Sequence, residues 1–549
     1  MTSEQGPMRP TAPRERSLGD LALALDLGSA PADAAVSITG VAASSADVVP
    51  GDLFVALQGT AAHGARYTGQ AVRAGAAAVL TDAAGRELVA AAVADGTCPD
   101  LPVLTMPAGA DPRTLLGAVA VWFYDRPGDA LTTFAVTGTN GKTTTTYLLD
   151  HVLSTLGRTV GLIGTVETRS GDRVLPSRLT TPDAAALQGV LAVMREDHVD
   201  ALAMEVSSHA LVQHRVDGIV FDVAAFTNLS QDHLDFHGDL EGYFRAKAEL
   251  FTPARARRGV VIVDSEWGQR LAAEAPIPMV TLRTADGGPA SPALPEPDWS
   301  VLDVVAQPLG SAFTLRHRDG RTLRTATSLP GGFNVANAAL ALVMIIESGV
   351  DVAVLTAALD AAGGVDAAVP GRMEPVARDP RVIVDFAHNP DALGLAISAL
   401  RPTTAGRLVV VFGATGERDT TKRPIMGAVA AGLADVVVVT DDDPHGEDAS
   451  QIRQQVLAGA RAAAAGLAQG THAGHDGARE VEVLEIAPRA RAIAQAIAAA
   501  RDEDTVLVAG RGHEVWQEIN GVNHPLDDRV EARAAAAARR NDMMKELSK

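Results

Sequence analysis

Short apolar runs alternate with alanine-rich amphipathic stretches along nearly the whole chain, a pattern that predicts strand and helix in repeated succession. From about 36 to 129, apolar runs at 52–57 and 78–81 flank a helical stretch at 67–78, which predicts a small α/β domain. A second series follows at 134–136, 160–163, 201–204, 223–226 and 260–263. These runs are continuously apolar rather than alternating, so a mostly parallel sheet covered by helices on both faces is expected. A third series, at 382–385, 408–412, 435–440 and 505–509, predicts a second open α/β sheet of Rossmann-like type, and 530–540 suits a terminal helix. Residues 286–299 mix glycine, proline, serine and acidic side chains without apolar period, which reads as a surface excursion before a hairpin at 301–327. Pro330-Gly-Gly-Phe-Asn-Val-Ala-Asn337 then opens a buried Ala/Leu-rich helix, and no repeat of short period is present.

Length agrees with this division, since 549 residues exceed one core and about three domains is the natural expectation. The composition, 47% hydrophobic and 21% charged, is that of a globular protein. A formal charge of −20 leaves no basic field to displace counterions from phosphate backbones, which argues against a nucleic-acid partner. Small anions can still be held by local arginines, lysines and helix termini. The single cysteine, Cys98, excludes an internal disulfide and agrees with a reducing compartment. Arg14 and Arg16 precede a Leu/Ala run that Asp20 and Asp26 interrupt, so no signal-peptide core forms. No run approaches the roughly twenty apolar residues that span a bilayer. A cytoplasmic monomer without a membrane span is expected.

The candidate chemistry centres on Phe134-Ala-Val-Thr-Gly-Thr-Asn-Gly-Lys-Thr-Thr-Thr-Thr146, which reads as a strand, a glycine-bearing turn and a helix opening on threonines. Gly138 and Gly141 let backbone N–H groups converge, and the helix N-terminus adds its positive dipole end. Thr137, Gly138, Thr139, Asn140, Gly141, Lys142, Thr143 and Thr144 therefore suit the polyphosphate of ATP, with Lys142 on the outer phosphates and the Thr143 hydroxyl on Mg²⁺. A strict P-loop has glycine where this chain has Val136, so the match is to a variant. Ligands of open parallel sheets bind beyond the strand carboxyl ends, a rule that puts the turn, Glu205 and Thr227-Asn228 on one rim. Glu205 is there a hard oxygen ligand candidate for Mg²⁺.

This variant, read with Ala203-Met-Glu-Val-Ser-Ser-His209 and Thr227-Asn-Leu-Ser-Gln-Asp-His-Leu-Asp-Phe-His-Gly238, resembles the Mur ligases, the ATP-dependent amide-bond synthetases of peptidoglycan assembly, over nearly the whole chain. Within that family it is similar to the members that add the third, diamino acid. The resemblance implies three domains: 1–129 for the UDP group, 130–366 for ATP, and 367–549 for the incoming amino acid. Pro127-Gly-Asp129 would link the first two and Pro370-Gly-Arg-Met-Glu374 would be the second hinge. It implies His233 as a metal ligand beside Glu205 and Thr143. It also implies Lys247, in Tyr243-Phe-Arg-Ala-Lys-Ala-Glu-Leu-Phe251, as a lysine carbamylated by CO₂ into an anion able to hold a second Mg²⁺. That reaction needs a neutral amine, which burial or a neighbouring positive charge provides. Asn334 would lie near the adenine, and Arg372 with Asp385, in Asp385-Phe-Ala-His-Asn-Pro-Asp391, would complete the nucleotide site on domain closure. Contacts to UDP-N-acetylmuramoyl-L-Ala-D-Glu are implied for Ser44, Thr60, Ala61, Ala62, Thr180, Thr181, Ser207, Gln213 and Arg215, while His209 and His214 read as structural. The carboxylate would be phosphorylated by ATP and the acyl phosphate attacked by the amine, since a bare carboxylate oxygen leaves poorly.

For the amino acid, Arg418 in Phe412-Gly-Ala-Thr-Gly-Glu-Arg-Asp419 would clamp the α-carboxylate, and Gly510 with Glu514 would meet the distal amine end. Family members that add meso-diaminopimelate carry Asp-Asn-Pro-Arg where this chain has Asp442-Asp-Pro-His445. An extra carboxylate and a missing arginine should favour a bare ammonium, so L-lysine or L-ornithine is expected over meso-diaminopimelate. The alternatives are the same reaction with meso-diaminopimelate, a folylpolyglutamate-synthase-like ligase, and a non-catalytic module that closes on ATP. The last is opposed by the presence together of Lys142, Glu205, His233 and Lys247.

Overall fold

The computed structural model describes residues 7–28, 33–59, 62–284, 296–307, 310–469 and 479–547. Thr60, Ala61 and the 286–295 part of the expected surface excursion lie outside the described residues. Three principal sheets carry the chain. The first is four parallel strands in sequence order, Gly40–Ala42, Asp52–Val55, Ala78–Thr81 and Val103–Thr105. The helical stretch expected at 67–78 is shorter, a 3₁₀ turn Gly64–Tyr67 running into a helix Thr68–Arg73. Helix Pro112–Tyr124, capped by Asp111 on the Thr114 N–H, leads towards the second sheet.

That sheet has eleven strands. Its parallel centre runs Val160–Ile163, Ala201–Glu205, Thr132–Thr137, Val223–Phe226, Gly259–Ile262, Met279–Arg283 and Trp299–Ala306, while antiparallel strands extend both edges. Register aligns the strand ends: Glu205 pairs with Val136 and Phe226 with Thr137, so the three strands stop together and Glu205, the glycine turn and Thr227-Asn228 do share one rim. The hairpin Glu167–Ser170 with Arg173–Pro176 escapes an apolar-run criterion, because edge strands half open to water carry polar residues. Helix Lys142–Thr155 lies on the sheet through Leu148, Leu149 and Val152 and packs against helix Gly332–Glu347, in which every residue from Ala338 to Ile345 is fully buried. A helix apolar all round belongs inside a core, which accounts for its Ala/Leu composition.

The third sheet runs Glu374–Ala377, Arg381–Asp385, Thr505–Ala509, Leu408–Phe412, Val436–Val439 and Glu482–Glu485, parallel except for the first strand. Its carboxyl rim bears Asp385, Gly510, the 413–418 loop and Asp442. The terminal helix is longer than expected, Asp528–Leu547. Among the described residues no helix is long and apolar enough to cross a membrane.

Candidate active site

The glycines of the turn are required by its geometry. Gly138 and Gly141 have φ of +147° and +89°, a side chain at 138 would overlap the Thr227 hydroxyl, and one at 141 would stand 2.5 Å from Asn337 Oδ1. The turn is pinned to the neighbouring strand end: Thr139 N–H donates to the Asn228 carbonyl at 2.9 Å and Thr227 Oγ1 to the Asn140 carbonyl at 2.7 Å. Lys142 Nζ donates to the carbonyls of Gly138 and Thr139 at 3.0 and 2.9 Å, and burial lowers its pKa. Thr143 Oγ1 donates to Glu205 Oε2 at 3.0 Å, and Thr165 holds the same buried carboxylate through its N–H at 2.7 Å and its hydroxyl at 3.0 Å.

Lys247, on helix Leu240–Ala248 capped by Asp239, reaches the same carbonyl as Lys142: its Nζ donates to Gly138 O at 2.8 Å and sits 4.2 Å from the centre of the Tyr243 ring. Its side chain is 1% exposed, and burial first, then the Lys142 charge, drives its pKa far below the ordinary lysine value. His233 has φ of +53° and lies 5.0 Å from His209, ring to ring. Burial takes its pKa down to about 4, leaving a neutral imidazole with a lone pair to offer. Glu205, His233, Thr144 and Asn334 all line one cavity of about 470 Å³. Among the described residues no group of three or more His, Cys, Asp or Glu is spaced to hold a metal by itself.

The third sheet's lobe closes that cavity. Arg372 stacks 4.1 Å over Phe386, reaches Thr143 Oγ1 at 3.4 Å, and burial lowers its pKa. Asp385 accepts from the N–H groups of Met373 and Ala387 at 2.7 and 2.8 Å. Asn334 donates to Pro330 O at 2.8 Å and accepts from Asn337 at 3.3 Å. Thr137 is fully buried one step before the turn.

On the other side of Glu205, Thr180 bonds Thr165 at 3.1 Å, and Thr181 Oγ1 donates to the Glu205 carbonyl at 2.9 Å while accepting from Ser207 N–H at 3.1 Å. Arg215 donates to Gln213 Oε1 at 2.7 and 3.1 Å and to the Thr181 carbonyl at 2.9 Å, so these five residues form one patch beside the cavity. A second cavity, of about 790 Å³, lies between the first and second sheets and is lined by Ala43, Asp47, Arg178 and Asp183. Ser44 is placed in a local turn, accepting from Ala46 N–H at 3.3 Å, and Ala62 in another, accepting from Gly59 N–H at 3.1 Å. Neither lines the cavity at the glycine turn.

Asp442, Asp443, Pro444, His445, Gly510 and Glu514 converge on the third sheet's rim, whereas Arg418 stands exposed on the loop after Leu408–Phe412; burial first, then Arg215, and only weakly Lys247 and Arg418, lower the His209 pKa. Gly510 has φ of +116°, and a side chain there would come 2.7 Å from Asp442 Oδ2. The decisive residue is one that sequence reasoning passed over. Arg511, fully buried, donates to Asp443 and lies 3.5 Å from both Asp442 and Glu514. His445 pairs with Glu518 at 3.0 Å. The extra carboxylate on which the expectation of a bare ammonium rested is thus answered by a guanidinium 68 positions away.

Comparison with known proteins agrees with the architecture. Residues 37–107 match the description "Mur ligase family, catalytic domain", 136–345 "Mur ligase middle domain", and 371–512 "Mur ligase, glutamate ligase domain". The chain is 46% identical over 530 residues to the UDP-N-acetylmuramyl-tripeptide synthetase of Leifsonia xyli subsp. xyli, covering 96% of this chain and 97% of that one. The chain belongs to the Mur ligase family. As a Mur ligase it forms an amide bond with ATP. The UDP-N-acetylmuramoyl-L-alanyl-D-glutamate–2,6-diaminopimelate ligase of Streptomyces coelicolor is also 46% identical, over 96% of this chain and 98% of its own. A solved structure of a ligase with that same name shares 30% identity at a TM-score of 0.57, covering 92% of this Mur ligase and 95% of the other chain. The 2,6-diaminopimelate in these relatives' names fits the alternative reading better than L-lysine or L-ornithine, and the Arg511–Asp443 pair answers one of the two grounds for the latter, the extra carboxylate.

Two residues of this Mur ligase, Arg511 among them, were legible but missed. Thr165 follows the strand Val160–Ile163 at the rim, where the strand-end rule applies, and Arg511 lies inside Ala509-Gly-Arg-Gly-His-Glu514.

Proposed function

We propose that this Mur ligase joins a diamino acid, meso-diaminopimelate, to the D-glutamate of UDP-N-acetylmuramoyl-L-alanyl-D-glutamate in the cytoplasm, with ATP and Mg²⁺, through an acyl phosphate. The division of labour is that of domains 1–129, 130–366 and 367–549, binding the UDP group, ATP and the amino acid. The observation that carries the reading is the meeting of lobes at the phosphate turn: Arg372 reaches Thr143, which already holds Glu205. A nucleotide on the turn and an amino acid on the third sheet's rim would then face each other across one cavity.

Lys142 would move from the turn's carbonyls to the outer phosphates, and Arg372 would screen charge between the two anions, which must approach for transfer. The Thr143 hydroxyl beside the Glu205 carboxylate fits a hard cation whose remaining positions nucleotide oxygens fill, and His233 and carbamylated Lys247 would hold a second. Mg²⁺ bound there supplies charge neutralisation of the phosphates. Lys247 suits carbamylation because burial, and then the Lys142 charge, push its pKa far down and so favour the neutral amine the reaction needs. Thr180, Thr181, Ser207, Gln213 and Arg215 would orient the acceptor carboxylate, and Arg418, Asp442, Asp443, Pro444, His445, Gly510 and Glu514 the amino acid.

The test is a panel of meso-diaminopimelate, L-lysine and L-ornithine offered with ATP and the UDP-dipeptide. Tripeptide should form with meso-diaminopimelate at the highest kcat/KM. Preference for L-lysine or L-ornithine would overturn the choice of amino acid and leave the ligase reading standing.

A further inference from the structure

Besides Thr143, the phosphate turn carries another side chain whose bonds lead out of its own lobe. Asn140 stands between the two glycines, and its backbone is already fixed: its N–H donates to Asn228 Oδ1 at 3.0 Å, and its carbonyl accepts from Thr227 Oγ1 at 2.7 Å and Asn228 Nδ2 at 3.2 Å. Holding the turn therefore makes no demand on the amide. Its Nδ2 donates to Asp391 Oδ2 at 3.1 Å and Ser230 Oγ at 3.4 Å, and its Oδ1 accepts from Asn389 Nδ2 at 3.2 Å. Asn389 is fully buried and is the N-cap of helix Pro390–Leu400, with its own Oδ1 accepting from Ala392 N–H at 2.9 Å. The same helix gives Ala392, Leu395 and Ala396 to the wall of the nucleotide cavity. A continuous hydrogen-bonded path thus runs from the phosphate turn through Asn140 and Asn389 into the helix that walls the cavity from the other lobe.

An amide fits this position in both directions, because it donates to a carboxylate and accepts from a carboxamide at once. Aspartate would set two carboxylates against each other, and alanine would meet neither partner. We infer that Asn140 is a positioning residue that couples occupancy of the phosphate turn to closure of the third lobe, beyond any contact it makes to nucleotide. Its consequence for the reaction rests on the proposed ligase activity. A closed cavity keeps water from the phosphorylated acid, so a slack coupling lets phosphate be lost without an amide.

The test uses the full chain with ATP, the UDP-dipeptide and meso-diaminopimelate, and ADP affinity is measured separately by calorimetry. Asn140→Ala should lower the rate of amide formation about tenfold or more, by a clearly larger factor than it lowers ADP affinity, and raise phosphate released per amide above one. Asn140→Asp should do worse than Asn140→Ala, and adding Asp391→Asn should restore part of its amide yield by removing the repulsion. ADP affinity and amide rate falling in parallel with the ratio unchanged would make Asn140 a plain nucleotide contact and overturn the inference, as would failure of Asp391→Asn to restore Asn140→Asp. Should the parent protein release no phosphate with both substrates present, the ligase reading fails instead. Small-angle scattering then decides the coupling: ADP should compact the parent and not Asn140→Ala, and equal compaction of both would overturn it.

Discussion

At single residues, backbone sterics and burial set the sharpest expectations. Gly138 holds φ of +147° with the Thr227 hydroxyl where a β-carbon would go, so Gly138→Ala should lose about 1–3 kcal/mol of stability and bind ADP weakly, read by denaturant melts and calorimetry. Glu514 gives a signed pH effect. Burial pushes its pKa up to about 8 from the ordinary 4.5, Arg511 pulls it back, and Asp442 and Asp443 push it further up. Between those values the folded protein keeps a proton that the unfolded chain has released, so this group's contribution to stability falls as pH rises through the window. Glu514→Gln removes the titration. Its stability relative to the parent should therefore rise from about pH 4.5 to about pH 8 and level off above that in denaturant melts. A constant difference would show that Glu514 titrates normally. The residue scale is also where the sequence misled, since Asp443 reads as an unopposed charge only until Arg511 is seen folded against it.

Elements were more legible than their edges. The apolar runs at 160–163, 223–226, 408–412 and 505–509 coincide with strands because buried parallel strands need apolar side chains on both faces. Glu167–Ser170, Arg173–Pro176 and Glu482–Glu485 stayed hidden because each lies at or near a sheet edge and keeps polar residues facing water. The helix behind the phosphate turn is fixed to the core by Leu148 and Leu149, both fully buried between the sheet and helix Gly332–Glu347. Leu148→Ala should lower unfolding free energy by about 2–5 kcal/mol through the cavity it leaves. The polar face of the turn would be untouched, so ADP affinity at temperatures well below the melt should stay close to that of the parent. A matching loss of affinity would mean that the turn's position depends on this packing.

Across the whole molecule, the rim of the second sheet followed from strand order alone, but the meeting of Arg372 with Thr143 joins residues 229 positions apart and no local pattern announces it. That meeting lines one cavity with residues of two lobes, which is the ground for proposing that ATP is spent only when both reactants are in place. The direct measurement is phosphate release from ATP with the UDP-dipeptide and meso-diaminopimelate offered separately and together. The account predicts sustained release only with both present, lost on Arg372→Ala. Release of equal rate with either substrate alone, or with neither, would contradict it.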